Sequence, residues 1–236
     1  MIGYINTHPD LNFKTEICFK TLYNYIHAGL FLNVRESDLK HYRKKKKKEG
    51  KPVAMHNLHG ASIAERPEEI RSRDSFGHWE MDTVIGQRDK KNCLLVLSER
   101  KTRTEIIRKI KSKSQEVVKA ALDQIEKDLG AETFRERFKT ITTDNGVEFL
   151  DAGKIENSIF EGKRTTSYYC HPYSSWERGT NENINKMIRR WIPKGADITL
   201  YTDQQIAYIE HWINAFPRKI FGFRSSRDML RAELQQ

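Results

Sequence analysis

Three acidic side chains, Asp82, Asp144 and Glu182, have the residue type and setting that phosphodiester chemistry needs. Asp82 interrupts the stretch Trp79-Glu80-Met81-Asp82-Thr83-Val84. A charge buried there costs on the order of several kcal/mol unless something compensates it. A hard divalent cation would do so, because Mg²⁺ prefers carboxylate oxygens. The alternative is a strand-edge aspartate open to water, and on this residue alone the two readings stand level. Glu80, two residues away on the same face, either supports Asp82 from behind or rivals it as a ligand. Asp144 closes Ile141-Thr142-Thr143 and precedes the turn pair Asn145-Gly146. Strand ends facing a crevice are where α/β sheets place functional groups, although Asp beside Asn-Gly is also a common turn former. With 61 residues between them, the two aspartates fit a shared site better than either fits one alone.

Glu182 lies in a predicted helix that follows Gly179 and is stopped by Pro193. Its apolar residues Ile184, Met187, Ile188 and Trp191 form one stripe. If that stripe packs on the sheet, Glu182 points away from it with Asn185, Lys186 and Arg189, a carboxylate in a cationic row. The bland reading is an exposed acid on an ordinary amphipathic helix. Three acids beside cations suit a site in which two divalent ions, roughly 3.5–4 Å apart, activate an attacking oxygen and stabilise a leaving one. Other chemistries lack their signatures: there is no GxSxG elbow, no Walker loop and no GxGxxG. His56 and His59 form an HxxH with no CxxC to complete a zinc site, and are read as linker residues.

An α/β arrangement must position these acids. Residues 79–85 alternate as a strand, 92–98 are almost uniformly apolar as in a strand covered on both faces, and 102–110 form a third β-rich stretch. Ser114 caps a helix with the stripe Val118, Leu122, Ile125 and Leu129, closed by Gly130, and 139–144 form another short strand. Thr202-Asp203-Gln204-Gln205 is a capping box before a helix striped by Ile206, Ile209, Ile213 and Phe216. Arg218, Lys219, Arg224 and Arg227 beyond it either add DNA contacts or only solubilise.

Upstream, Phe19, Leu22 and Ile26 share one side of a helix over 21–27 that Gly29 ends. Its outward Lys20, Thr21 and Asn24 suit the second helix of a helix-turn-helix slightly better than a plain surface helix. Three segments follow: a helix-turn-helix-like remnant at 1–42, a basic linker at 43–72, and a catalytic domain with a C-terminal helix at 73–236. The linker opens with Arg43, Lys44, Lys45, Lys46, Lys47 and Lys48, whose like charges repel and favour a phosphate-tracking arm.

Composition agrees with a polyanion partner. The 236 residues carry 42 Lys+Arg against 32 Asp+Glu, a net charge of +10, with 37% hydrophobic residues, enough for a core. The longest clean apolar run, Cys93-Leu94-Leu95-Val96-Leu97, is too short to span a bilayer, and the N-terminus lacks signal-peptide organisation. Three scattered cysteines disfavour a disulfide scaffold, so a cytoplasmic, nucleoid-associated location is expected.

Three motifs, Phe76-Gly77-His78-Trp79-Glu80-Met81-Asp82-Thr83-Val84-Ile85-Gly86, Thr143-Asp144-Asn145-Gly146-Val147-Glu148-Phe149 and Trp176-Glu177-Arg178-Gly179-Thr180-Asn181-Glu182-Asn183, occur in this order. Together they closely resemble the DDE transposases of the insertion-sequence thirty family. Ser62-Ile63-Ala64-Glu65-Arg66-Pro67 is similar to that family's lead-in, so the resemblance runs from residue 62 to the C-terminus. It implies a ribonuclease-H-like mixed sheet flanked by helices, dependence on Mg²⁺ or Mn²⁺, cut-and-join action on transposon-end and target DNA, and a homo-oligomeric synaptic complex. By the same carry-over, Asp82, Asp144 and Glu182 are the catalytic and metal-binding acids. Related sequences can carry Gln at the position of Glu177, which favours Glu182 as the third. Lys186, Arg189 and Arg190 would position the DNA backbone, and His171, Tyr173 and Trp176 either shape the cleft or simply pack.

Two departures accompany the resemblance. The 37 residues between Asp144 and Glu182 exceed the family's usual spacing, and the surplus is expected as a longer loop at 151–166. The N-terminal region is also shorter than the family's, so a truncated copy is expected, with end recognition impaired. The rivals to a transposase are therefore a ribonuclease-H-like nuclease that cuts without joining, and an inactive DNA-binding remnant acting as a repressor.

Overall fold

A computed structural model of the chain describes residues 2–8, 10, 15, 17–34, 60–172 and 174–235. Its strands are β1 (Ala61–Ser62), β2 (His78–Ile85), β3 (Cys93–Glu99), β4 (Glu105–Ile110), β5 (Thr140–Thr143) and β6 (Thr166–Tyr169). Its helices are α1 (Ile2–Asn6), α2 (Phe19–His27), α3 (Gln115–Leu129), α4 (Ala131–Arg137), α5 (Ala152–Glu156), α6 (Gly179–Ile188), α7 (Asp203–Ala215) and α8 (Ser226–Leu234). The chain divides into two compact units, one of residues 1–53 with 217–224, the other of residues 54–216 with 225–236. In the first, Leu22 and Ile26 of α2 are buried with Ile17 and Phe31 packed against them, and Gly29 takes the left-handed conformation (φ 69°) just past the helix end.

The second unit is built on a six-stranded sheet of order β1-β6-β5-β2-β3-β4. β2, β3 and β4 form an antiparallel meander, whereas β5 runs parallel to β2, β6 to β5 and β1 to β6. This is the mixed α/β sheet expected of a ribonuclease-H-like core. The apolar pattern of each strand explains the layering. On β2, Trp79 and Met81 face the cluster formed with α3 and α4, including Leu122, Ile125, Phe134 and Phe138. Val84 faces the opposite cluster, where Ile184 and Ile188 of α6 meet Ile206, Ile209 and Ile213 of α7. Every residue of β3 is buried, with Leu95 and Leu97 on one side and Leu94 and Val96 on the other, as the uninterrupted apolar run requires.

β4 is an outer strand, and α7 lies along its free edge. Asn214 Oδ1 accepts from the Glu105 amide and Asn214 Nδ2 donates to the Glu105 carbonyl, both at 2.8 Å, while Glu210 accepts from the Ile107 amide at 2.6 Å. The expected capping box at Thr202 and Gln205 starts α7.

Some elements depart from the sequence reading. Gly130, with φ 83°, ends α3 but at once begins α4, which the pattern of single residues conceals. Residues 60–72, placed by composition in the linker, belong to the sheet unit. Ala61 and Ser62 pair with Tyr168 and Tyr169, Ile63 and Ile70 are buried, and Arg66 donates to Thr142 Oγ1 at 3.2 Å. Two isoleucines and one arginine suffice to dock a segment otherwise poor in large apolar residues. The expected loop at 151–166 contains α5 and a bridge between Asn157 and Lys163. It is anchored by buried Arg164, which pairs with Asp123 at 2.7 Å and Glu126 at 3.2 Å. Residues 43–48, 56 and 59 lie outside the described residues.

Candidate active site

The sheet register brings Asp82 to Asp144. β2 and β5 run in parallel with His78, Trp79 and Glu80 opposite Thr140, Ile141 and Thr142. Continuing that register by two residues sets Asp82 beside Asp144, on strands whose spacing is about 4.8 Å. The chain thus brings two acids separated by 61 residues near each other by a strand pairing that ends two residues short of them. Asp82 is held on both oxygens: Oδ1 accepts from the Thr83 amide at 2.9 Å, and Oδ2 from Asn185 Nδ2 of α6 at 3.0 Å. Asp144 Oδ1 accepts from the Gly146 amide at 2.9 Å, and Asn145 Nδ2 donates to the Cys170 carbonyl at 2.8 Å, fixing the turn.

One guanidinium lies between the two acids. Arg178 Nη2 is 2.7 Å from Asp144 Oδ2, Nη1 is 3.4 Å from Asp82 Oδ1, and Nη1 also donates to the Met81 carbonyl at 3.3 Å. Its side chain is only 12% exposed, against 18% for Asp82 and 40% for Asp144. Burial by itself would lower the Arg178 pKa. The adjacent Asp144 and then Asp82 outweigh that cost and hold it above the ordinary arginine value.

Glu182 is placed differently. Its carboxylate pairs with Lys186 Nζ at 2.8 Å, one helical turn on, and its side chain is 70% exposed. Among the described residues no three His, Cys, Asp or Glu side chains converge as a metal site. Yet Glu182 occupies the edge of the α6 face that meets β2. At 3.6 residues per turn, Asn185 and Arg189 lie within roughly 60° of it around the helix, and both reach β2, Asn185 at Asp82 and Arg189 at the Ile85 carbonyl. The sequence pattern set Glu182 with Asn185, Lys186 and Arg189 on the side away from the sheet; Asn185 and Arg189 instead reach β2, while the Glu182 carboxylate pairs with Lys186.

Glu80 cannot compete with Asp82, because it is fully buried against Arg100 at 3.0 Å and accepts from Thr180 Oγ1 at 3.3 Å. Glu177 accepts from the His171 amide at 2.9 Å and meets His171 Nδ1 at 2.8 Å. Arg189 spends its donors on carbonyls, Ile85 at 2.7 Å and Pro193 at 3.4 Å, so it clamps the end of α6 to the end of β2. Lys186 and Arg190 remain exposed. Tyr173 lies outside the described residues.

The sequence reading passed over two residues beside the acids. Arg178 stands within a quoted motif, and its signal was the need of two adjacent carboxylates for a counter-charge. Glu148, also within a motif, is buried, accepts from Thr83 Oγ1 at 2.7 Å and pairs with Lys113 at 3.2 Å. Its Oε2 is buried with no hydrogen-bond partner.

The strand order defines a ribonuclease-H-like core, with Asp82 inside β2 and Asp144 just past the end of β5 both contacted by Arg178. No family model matches the chain. Among curated proteins it is 39% identical over 212 residues to the probable transposase for insertion-like sequence element IS1161 of Streptococcus salivarius, covering 89% of this chain and 57% of that protein. It is 37% identical over 175 residues to the transposase for insertion sequence element IS4351 of Bacteroides fragilis, covering 74% and 50%. To transposase InsI for insertion sequence element IS30C of Escherichia coli (strain K12) it is 32% identical over 225 residues, covering 93% and 56%. Over most of its length the chain is thus similar to transposases of insertion sequences. It spans about half the length of these curated relatives.

Proposed function

We propose that this chain cleaves and joins DNA strands at the ends of an insertion sequence, using Asp82, Asp144 and Glu182 to hold Mg²⁺ or Mn²⁺. The observation that carries this reading is the parallel register of β2 and β5, which sets two carboxylates around one shared cationic group. Two hard oxygen donors already arranged about a positive charge fit a divalent ion. Such an ion, when bound, supplies charge neutralisation and an activated oxygen nucleophile for phosphodiester attack.

The chain's own residues account for the rest. Asn185 and the Thr83 amide fix the Asp82 carboxylate, so that its free lone pairs face the site. The Gly146 amide does the same for Asp144. Glu182 joins them by exchanging its bond to Lys186 for the site, a rotation of a side chain that solvent already surrounds. Lys186, released by that exchange, and Arg190 offer cations to the phosphate backbone, and the six consecutive cations at 43–48 offer further phosphate contacts. The helix Phe19–His27 offers a further DNA-contacting element, with end recognition impaired in a truncated copy, and a synaptic complex pairs at least two copies. No helix among the described residues is long and apolar enough to cross a membrane.

Strand transfer with a labelled transposon end tests this reading. Asp82→Asn, Asp144→Asn and Glu182→Gln should each abolish metal-dependent joined product while leaving DNA binding intact. Full joining by any of the three removes that residue from the site. Free fragments without joined strands from the unaltered chain identify a nuclease, and binding with no turnover identifies a repressor.

A further inference from the structure

Arg178 occupies the place that a cation between Asp82 and Asp144 would take. A guanidinium and a divalent ion cannot both fill the space between carboxylates already bridged at 2.7 and 3.4 Å. We infer that Arg178 is the resident counter-cation of the aspartate pair and that metal enters only when its guanidinium leaves, so that metal binding and the position of this one side chain are coupled. The inference rests on Asp82 and Asp144 being metal ligands, as proposed above.

Three features of the local structure make the side chain able to move without its helix. Arg178 ends the 3-10 turn Ser175–Arg178, departs from helical torsions there (φ −119°, ψ 47°) and is followed by Gly179. The first turn of α6 is pinned independently, because Thr180 Oγ1 donates to buried Glu80 and accepts from Arg103. The seat itself is imperfect: Arg178 Nε is buried without a hydrogen-bond partner, and the contact to Asp82 is long for a charge-assisted bond. The guanidinium therefore satisfies the two charges while leaving one of its own donors unmet.

The consequence is a competition. A site closed by its own arginine binds metal with an affinity reduced by the fraction of molecules in which the arginine has left. The pair stays neutralised and correctly spaced in the meantime, since two adjacent carboxylates without a cation would repel each other.

Direct metal titration tests the coupling. Mn²⁺ binding to the full chain is measured by calorimetry, and by the paramagnetic resonance of free Mn²⁺, for the unaltered protein, Arg178→Met, Arg178→Lys and Asp82→Asn. Arg178→Met should bind Mn²⁺ about tenfold or more tightly, with Arg178→Lys between the two, because a point charge cannot bridge both acids. Arg178→Met should also show the larger rise in thermal midpoint on adding Mn²⁺. Unchanged or weaker Mn²⁺ binding in both arginine variants overturns the inference. If Arg178→Met does not fold, Arg178→Lys alone decides by the same comparison. Should Asp82→Asn leave Mn²⁺ binding unaltered, the metal reading itself fails, an outcome distinct from the failure of the exchange.

Discussion

Thr180 Oγ1 donates to Glu80 Oε1 at 3.3 Å, tying the first turn of α6 to β2 two residues before Asp82. Glu80 in turn pairs with Arg100 at 3.0 Å, with both side chains inside the protein, and Arg100 reaches the Ile70 carbonyl at 3.3 Å. This interior network fixes the angle at which α6 presents Asn185 and Glu182 to the sheet. Glu80→Ala leaves the Arg100 charge buried and unpaired, and removing one partner of such a pair typically costs about 3–5 kcal/mol. Urea unfolding should show that loss. Thr180→Val, which removes the hydrogen bond to Glu80 and the one from Arg103, should cost roughly 1.5–3 kcal/mol for each.

Gly146 is constrained by the acids beside it. A Cβ there would sit 2.6 Å from Glu148 Oε2 and 2.9 Å from Asp144 Oδ1. Glu148 is held by Thr83 and Lys113 and cannot simply retreat. Gly146→Ala should therefore displace the Asp144 carboxylate, costing about 1–3 kcal/mol of stability by overpacking. A displacement near 1 Å should lower strand-transfer rate by up to about a hundredfold. Unaltered rate and stability together would show that the turn yields.

His78 gives the fold a dependence on acid. Burial first, then Lys139, Arg100 and Arg66, hold its pKa down at about 4, against an ordinary value of 6.5. The unfolded chain thus binds a proton that the folded chain refuses, so this contribution to stability is complete above pH 6.5 and is lost as pH falls toward 4. The full loss is of order 3 kcal/mol from the size of the shift. Denaturation between pH 7 and pH 4 should show a shallower loss in His78→Gln than in the unaltered protein.

The cysteines should separate by reactivity. Burial pushes the Cys93 thiol up to about 11 and the Cys170 thiol up to about 12. Cys18 is exposed, and its hydrogen bonds, that from the Thr21 side chain foremost, hold it below the ordinary thiol value. A chromogenic disulfide reagent should modify one thiol rapidly in the native protein and the other two only on unfolding. Rapid loss of all three would contradict the burial of β3 and of the segment after β6.

Much of the frame could be read from single residues because its signals are local. The apolar run of β3, the stripe of α3 and the capping box at Thr202 each specify their element within a few neighbours. Asp82 was legible as a charge within a strand and Asp144 as one at a strand's end, but their nearness depends on a strand pairing across 61 intervening residues, which no local pattern encodes. β1 and β6 escaped for a related reason: one has two residues and the other four, and each is defined by the strand it pairs with. Periodicity fixes the Cβ direction of Glu182 on α6 but not the path of its side chain. Its bond to Lys186 is a choice of rotamer that periodicity does not contain. Arg178 carried no periodic signal at all, since its role exists only once two distant carboxylates stand side by side.

The Asn214 and Glu210 side chains that occupy the rim of β4 also limit how copies of this protein can join. Outer strands invite a neighbour's strand to zip on through free main-chain groups. Here two of the amides on that rim are already spoken for by α7, so a second molecule finds no ladder to extend on this side. Any assembly through this flank must be knit by side chains, and its partner preference will follow their charge and shape instead of a shared backbone seam.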